Sequence, residues 1–181
     1  MTEQDIAKSY EEYQDYYDFM KEQAEEYQDF LVEQLRKHDP GFILSVYGSR
    51  KYQYKRGEST NGVEIKFDRR VHETQRLYIE IAEKADPANK NKVPSGIYRK
   101  DNSIFWLIGD YQQAFLFSKK QLQYIWECKS KYWTSVLWPV EGDNSDAYLL
   151  PVEVALRSPL CLYRFEFPNK DPLIYDIGEL K

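Results

Sequence analysis

Cysteine is nearly missing: Cys128 and Cys161 are the two in 181 residues. Neither sits in a CxxC or His/Cys cluster, which argues against a zinc site and for two free thiols in a reducing compartment. No run of about 18 apolar residues exists, so no segment is expected to span a membrane. The start, MTEQDIAKSYEEY, lacks the apolar core of a signal peptide, so a cytoplasmic location is expected. Neither GxGxxG nor GxxxxGK[ST] nor GxSxG occurs, which removes the mononucleotide-cofactor signatures and the hydrolase nucleophile elbow. Positive charge is also in deficit, with 25 Lys and Arg against 30 Asp and Glu and a net charge of −5. That counts against a protein that coats nucleic acid through a global positive field. A local basic patch stays compatible with it, and carboxylates clustered around a divalent cation would themselves lower the charge.

What is present is aromatic and patterned. Tyrosine alone accounts for 16 residues, a side chain suited to half-buried positions and interfaces. The length suggests one domain over residues 1–181 that buries about 70% of its unfolded surface. Residues 3–38 read as a long N-terminal helix. Phe19, Met20, Tyr27, Phe30, Leu31 and Leu35 recur near one face, and no Gly or Pro intervenes before Pro40-Gly41. Its Tyr-rich acidic beginning reads as a solvated arm or a homodimer contact. Residues 42–157 read as the core, and 158–181 as a C-terminal extension or edge strand. Within the core, FILSV, VEIKFD, LYIEIAEK, SIFWLIGD and QAFLFS read as strands. Ser118 is placed to cap a helix through KKQLQYIWECK, and YLLPVEVALRS mixes a strand with a short helix. Strand runs flanked by helices predict a mixed α/β, α+β-like fold with about five strands.

Chemistry concentrates in residues 63–84, which read as an antiparallel hairpin. Side chains alternate across a strand. Val63, Ile65 and Phe67 then share a core face, and Glu64, Lys66 and Asp68 the other. Glu80 shares the polar face of the second strand with Tyr78 and Ala82. Two carboxylates fixed near each other on rigid strands repel unless a proton or cation relieves them. Mg²⁺ takes one or two carboxylates plus waters and substrate phosphate. A nearby ammonium such as Lys66 can orient water and stabilise charge developing on phosphate. The bland alternative is an amphipathic hairpin whose charges pair with one another in solvent. Arg50, Lys51, Lys55 and Arg56, interleaved with Tyr47, Tyr52 and Tyr54, suit phosphate and base contact, or equally an exposed hairpin. Arg69 and Arg70 would lie at the mouth of the site. His72, in the polar stretch RRVHETQR, reads as exposed, and the four tryptophans read as core.

The stretch GVEIKFDRRVHETQRLYIEIAEK, with VPSGIYRKDNSIFWLIGDYQQAFLFSKKQL, resembles a group of phage-borne nucleases of the PD-(D/E)xK superfamily. The matching pieces are a VEVK-x-D strand (Glu64 to Asp68) and a Thr-Gly-Asn-type turn (Thr74-Gln75-Arg76). They continue with a strand ending in an aliphatic-Glu pair (Tyr78-Ile79-Glu80) and a Pro-Ser-Gly-Ile segment (Pro94 to Ile97). Residues 62–122 carry the resemblance. It implies a restriction-endonuclease-like core, a central mixed sheet flanked by helices, and metal-dependent hydrolysis of nucleic acid, with DNA the expected substrate, in the host cytoplasm. It assigns Asp68 and Glu80 as ligands of Mg²⁺ or Mn²⁺, with the Ile81 carbonyl as a further ligand. It also implies a helical glutamate, Glu33 or Glu26, of which Glu33 is nearer the strand. Ala82 stands where the family has its lysine. Lys66 takes that role by migration, with Lys84 as a second candidate. Should neither reach the site, the implied protein is an inactive relative acting through protein interaction or as a phage accessory factor.

Overall fold

The run without Gly or Pro gives one helix, α1 (Glu3–His38). In the computed structural model, residues 3–38, 62–128, 130–157 and 160–167 are described. The basic segment carrying Arg50, Lys51, Lys55 and Arg56 lies outside them. The chain divides into two units, Met1–Ile43 and Leu44–Lys181. In the first unit, α1 carries i,i+4 ion pairs between Lys21 and Glu25 at 3.4 Å and between Glu33 and Lys37 at 2.5 Å, spaced to support an exposed helix face.

Among its described residues the second unit holds eight strands: β1 (Val63–Phe67), β2 (Arg76–Glu83), β3 (Val93–Pro94), β4 (Phe105–Gly109), β5 (Gln113–Ser118), β6 (Trp138–Glu141), β7 (Ser145–Pro151) and β8 (Cys161–Glu166). Between them lie α2 (Val71–Thr74), a 3₁₀ turn (Gly96–Tyr98), α3 (Lys119–Glu127), α4 (Lys131–Val136) and α5 (Val152–Arg157). The strands form two sheets of four, ordered β1-β4-β5-β8 and β3-β2-β7-β6. The fold is mixed α/β, but the single sheet of about five strands read from the sequence is replaced by these two sheets. Trp106, Ile108, Phe115 and Phe117 of the first sheet share one apolar cluster with Leu77, Ile79, Tyr148 and Leu150 of the second. Leu122 and Ile125 of α3 and Val152 and Ala155 of α5 complete it. Among the described residues no helix is long and apolar enough to cross a membrane.

The expected hairpin over residues 63–84 does not form. β1 pairs in parallel with β4, from Val63 opposite Phe105 to Phe67 opposite Gly109. β2 pairs antiparallel with β7 over its length and with β3 at Ala82 and Glu83. The connection RRVHETQR, read as a polar link, contains α2 and turns the chain out of the first sheet. The facing argument failed for a related reason. The first sheet is buried on both sides, with Val63, Ile65 and Leu107 buried on one and Trp106 and Ile108 on the other. Glu64 lies beside Trp106, on the core side, and is 2% exposed. Trp138 also departs from expectation: it is exposed and stacks under the Arg76 guanidinium, 3.5 Å from the ring centre.

Candidate functional site

Burial of Glu64 requires cations, and two supply it. Lys66 Nζ lies 3.0 Å from one carboxylate oxygen and Lys119 Nζ 3.1 Å from the other. Burial alone would raise the Glu64 pKa; Lys66 and Lys119 outweigh it and bring the carboxyl from its ordinary 4.5 down to about 2. Lys119 also reaches Asp101 at 3.1 Å and Ser103 Oγ at 2.7 Å. Both ammonium groups stand over Trp106, 5.3 and 5.9 Å from its ring centre. Lys119 opens α3, where the helix dipole disfavours a cation. The carboxylates of Glu64 and Asp101 offset that.

Glu80 belongs to the same centre. Its carboxyl is pushed above the usual range by burial, against the pull of Lys66, and Glu83 pushes the same way. Ser95 Oγ lies 2.7 Å from Glu80 Oε1 and 2.7 Å from Glu83 Oε1. A serine hydroxyl has one proton to give, so both contacts are hydrogen bonds only when one carboxyl carries a proton. Arg99 pairs with Glu83 at 2.8 Å, and the raised pKa of Glu80 makes it the carboxyl that favours a proton. The charge count agrees. Glu64, Asp101 and Glu83 are matched by Lys66, Lys119 and Arg99. Glu80 is the fourth carboxyl, without a cation of its own in that set.

The segment Pro94 to Ile97 packs against Glu80. Gly96 has φ +55, and a Cβ there would lie 2.1 Å from the Glu80 carbonyl oxygen. No other residue fits that position. Ser95 N–H donates to the Ile81 carbonyl at 3.1 Å, so this predicted ligand atom already accepts one bond.

Asp68 follows β1 and organises the turn to β2. Its Oδ1 accepts the Arg70 N–H at 3.2 Å and its Oδ2 the Tyr78 N–H at 2.9 Å. The second bond ties the two sheets together where a hairpin ladder was expected. Burial raises the Asp68 pKa, the two N–H bonds lower it, and Asp110 raises it again. Glu80 lies two residues beyond Tyr78 on β2, a rise of about 7 Å. Gln75 holds a left-handed backbone, with φ 53 and ψ 36.

Lys66 acts on Glu80, and Asp68 holds the N–H of Tyr78, two residues before Glu80 on β2. Arg69 and Arg70 occupy the turn after Asp68, Arg70 exposed. Glu33 lies in the other unit, exposed and paired with Lys37. Among the described residues no group of three or more His, Cys, Asp or Glu is placed to hold a metal. Mg²⁺ asks for fewer, since one or two carboxylates suffice beside waters and phosphate. Asp68 and Glu80 are half-buried acids of raised pKa.

Sequence reading missed Ser95, Arg99, Asp101 and Lys119. The bland alternative for Lys66, pairing with Glu64, is realised at 3.0 Å, with Glu64 buried and not in solvent. His72 is not a lone exposed residue: its Nδ1 faces Asp110 Oδ2 at 3.1 Å. Comparison with known proteins adds no family to this geometry: no family model, no curated protein and no solved structure matches the chain.

Proposed function

We propose that the chain is a metal-dependent nuclease of the phage-borne PD-(D/E)xK type, hydrolysing phosphodiester bonds of DNA in the host cytoplasm. The observation that carries the reading is the surplus acid. Beside three matched acid–base pairs, Glu80 is a half-buried carboxyl of raised pKa, near Lys66 and two residues along β2 from the Tyr78 N–H that Asp68 holds. Asp68 and Glu80 would hold Mg²⁺ or Mn²⁺, whose charge would favour the ionised form of both acids. When bound, the ion supplies charge neutralisation at the scissile phosphate and a more acidic water. Asp68 is kept in place by two backbone N–H groups. Glu64 and the Trp106 ring fix the Lys66 ammonium, which from there can hydrogen-bond the attacking water or a phosphate oxygen. Arg69 and Arg70, at the turn, would hold the flanking backbone.

The test is incubation of the full chain with plasmid and single-stranded DNA in Mg²⁺ or Mn²⁺, beside Asp68→Ala, Glu80→Ala and Lys66→Ala. Cutting that needs metal, and that falls about a hundredfold or more in each variant, supports the reading. A second reading, an inactive relative that binds another protein, is favoured by Ala82 at the lysine position and by the Ser95 bond already made to Glu80. The absence of cutting under every condition would favour it.

A further inference from the structure

His72 and Asp110 form a second polar centre beside Asp68. The parallel register that sets Phe67 opposite Gly109 brings Asp68 level with Asp110 on the neighbouring strand, and adjacent strands lie about 4.8 Å apart. Asp110 is 2% exposed. Its Oδ1 accepts the N–H groups of Gln112 at 2.8 Å and Gln113 at 3.0 Å, which shapes the turn from β4 to β5. Its Oδ2 lies 3.1 Å from His72 Nδ1, which orients the ring and turns Nε2 away from Asp110. A buried carboxylate that fixes both a turn and an imidazole is a built feature.

The imidazole borders a cavity of about 420 Å³, lined also by Gln75, Gln112, Arg164, Glu166 and Phe167. That volume is in the range of small-ligand sites, roughly 300–1,000 Å³. The lining offers hydrogen-bond donors and acceptors together: amides, an imidazole, a guanidinium and a carboxylate. Arg164 is held there by Gln113 Oε1 at 2.9 Å and Glu166 at 3.0 Å. The carboxylates Glu166 and Glu73, the latter 3.9 Å from His72 Nε2, work against a phosphate. A neutral heterocycle whose edge both donates and accepts suits the same lining, since amide, guanidinium and carboxylate groups are those that read base edges.

We propose that this cavity seats one unpaired nucleobase of the substrate strand, next to the phosphate held at Asp68. The proposal rests on the nuclease reading for the identity of the strand. A base reaches such a cavity only from outside the stack, and extruding one from a duplex costs a few kcal/mol. The preferred substrate is therefore single-stranded or frayed at that nucleotide.

The test measures binding in EDTA, where no cutting interferes. Fluorescence anisotropy compares a short labelled single strand with the blunt duplex of the same sequence. Wild type should bind the single strand about tenfold more tightly than the duplex. Gln112→Ala and Arg164→Ala should remove most of that preference, and melting curves verify that each variant is folded. Equal binding of both DNAs, no binding of either, or a preference untouched by Gln112→Ala and Arg164→Ala would overturn the proposal. Cutting in Mg²⁺ is scored separately: a single-strand preference without cleavage removes the nuclease and leaves the base site standing.

Discussion

Gln75 holds the left-handed backbone at the end of α2, with φ 53, where a side chain costs about 1–2 kcal/mol relative to the right-handed region. Its amide donates to the His72 carbonyl at 2.8 Å, which offsets part of that. Gln75→Gly is expected to raise stability by up to about 1 kcal/mol in urea denaturation, the larger chain entropy of Gly taking back some of the relief. A loss of more than that would mean the amide bond outweighs the strain. Two acids in the site titrate with opposite consequences. The folded pKa of Glu64 is about 2 against an ordinary 4.5, so its contribution is full above 4.5 and is lost as pH falls toward 2. The size is roughly 3 kcal/mol. Burial chiefly raises the folded pKa of Glu80, so the stability tied to that group is present at low pH and is lost as pH rises through its folded value. Glu80→Gln keeps a partner for Ser95 and removes the ionised form. It should be more stable than wild type at about pH 8, equal to it near pH 4, and inactive in cutting. Equal stability at both pH values would show that Glu80 is not a strained acid.

Most elements were legible and their partners were not. The alternation of LYIEIAEK, the doubly apolar SIFWLIGD and QAFLFS, and Ser118 ahead of α3 located β2, β4, β5 and α3. The Ser118 side chain nevertheless makes no capping bond. YLLPVEVALRS divides into β7 and α5 as read, and CLYRFEFP supplies β8 at the edge of the first sheet. Pairing is decided by contacts remote in sequence. β2 chose β7, with Leu77 opposite Leu150 and Ile79 opposite Tyr148, and no local pattern in residues 63–84 encodes that choice. Nothing local marks Lys119, because its partners, Glu64 and Asp101, lie 55 and 18 positions away. Its role at the start of α3 can be measured. Lys119→Met and Glu64→Gln should each cost about 3 kcal/mol or more, since each leaves a buried charge short of its partner. The double variant should cost less than the sum by about 1–3 kcal/mol. Additive losses would mean that α3 and β1 are not coupled through this pair.

At the scale of the whole molecule, a chain of net charge −5 is poorly suited to hold DNA by its overall field. Its chemistry has to be local, where β1 of one sheet and β2 of the other are joined by the Asp68 bond to Tyr78. Near that junction Glu64, Asp101 and Glu83 are matched by Lys66, Lys119 and Arg99, while Glu80 and Asp68 are further acids of raised pKa. The fold therefore carries a local cost that a bound divalent cation would remove, and ligand binding to the native state alone raises its stability by mass action. At a free concentration of about a hundred times Kd the gain is about 2.7 kcal/mol. Mn²⁺ should accordingly raise the melting temperature of wild type, progressively with concentration, and more at about pH 8 than near pH 5, where a proton competes for Glu80. The shift should vanish in Asp68→Asn and in Glu80→Gln, although the latter starts from a higher melting temperature. A shift of equal size in all three proteins would assign the ion to another part of the surface. No shift at millimolar Mn²⁺ would leave Asp68 and Glu80 as structural acids and turn the reading toward the inactive relative.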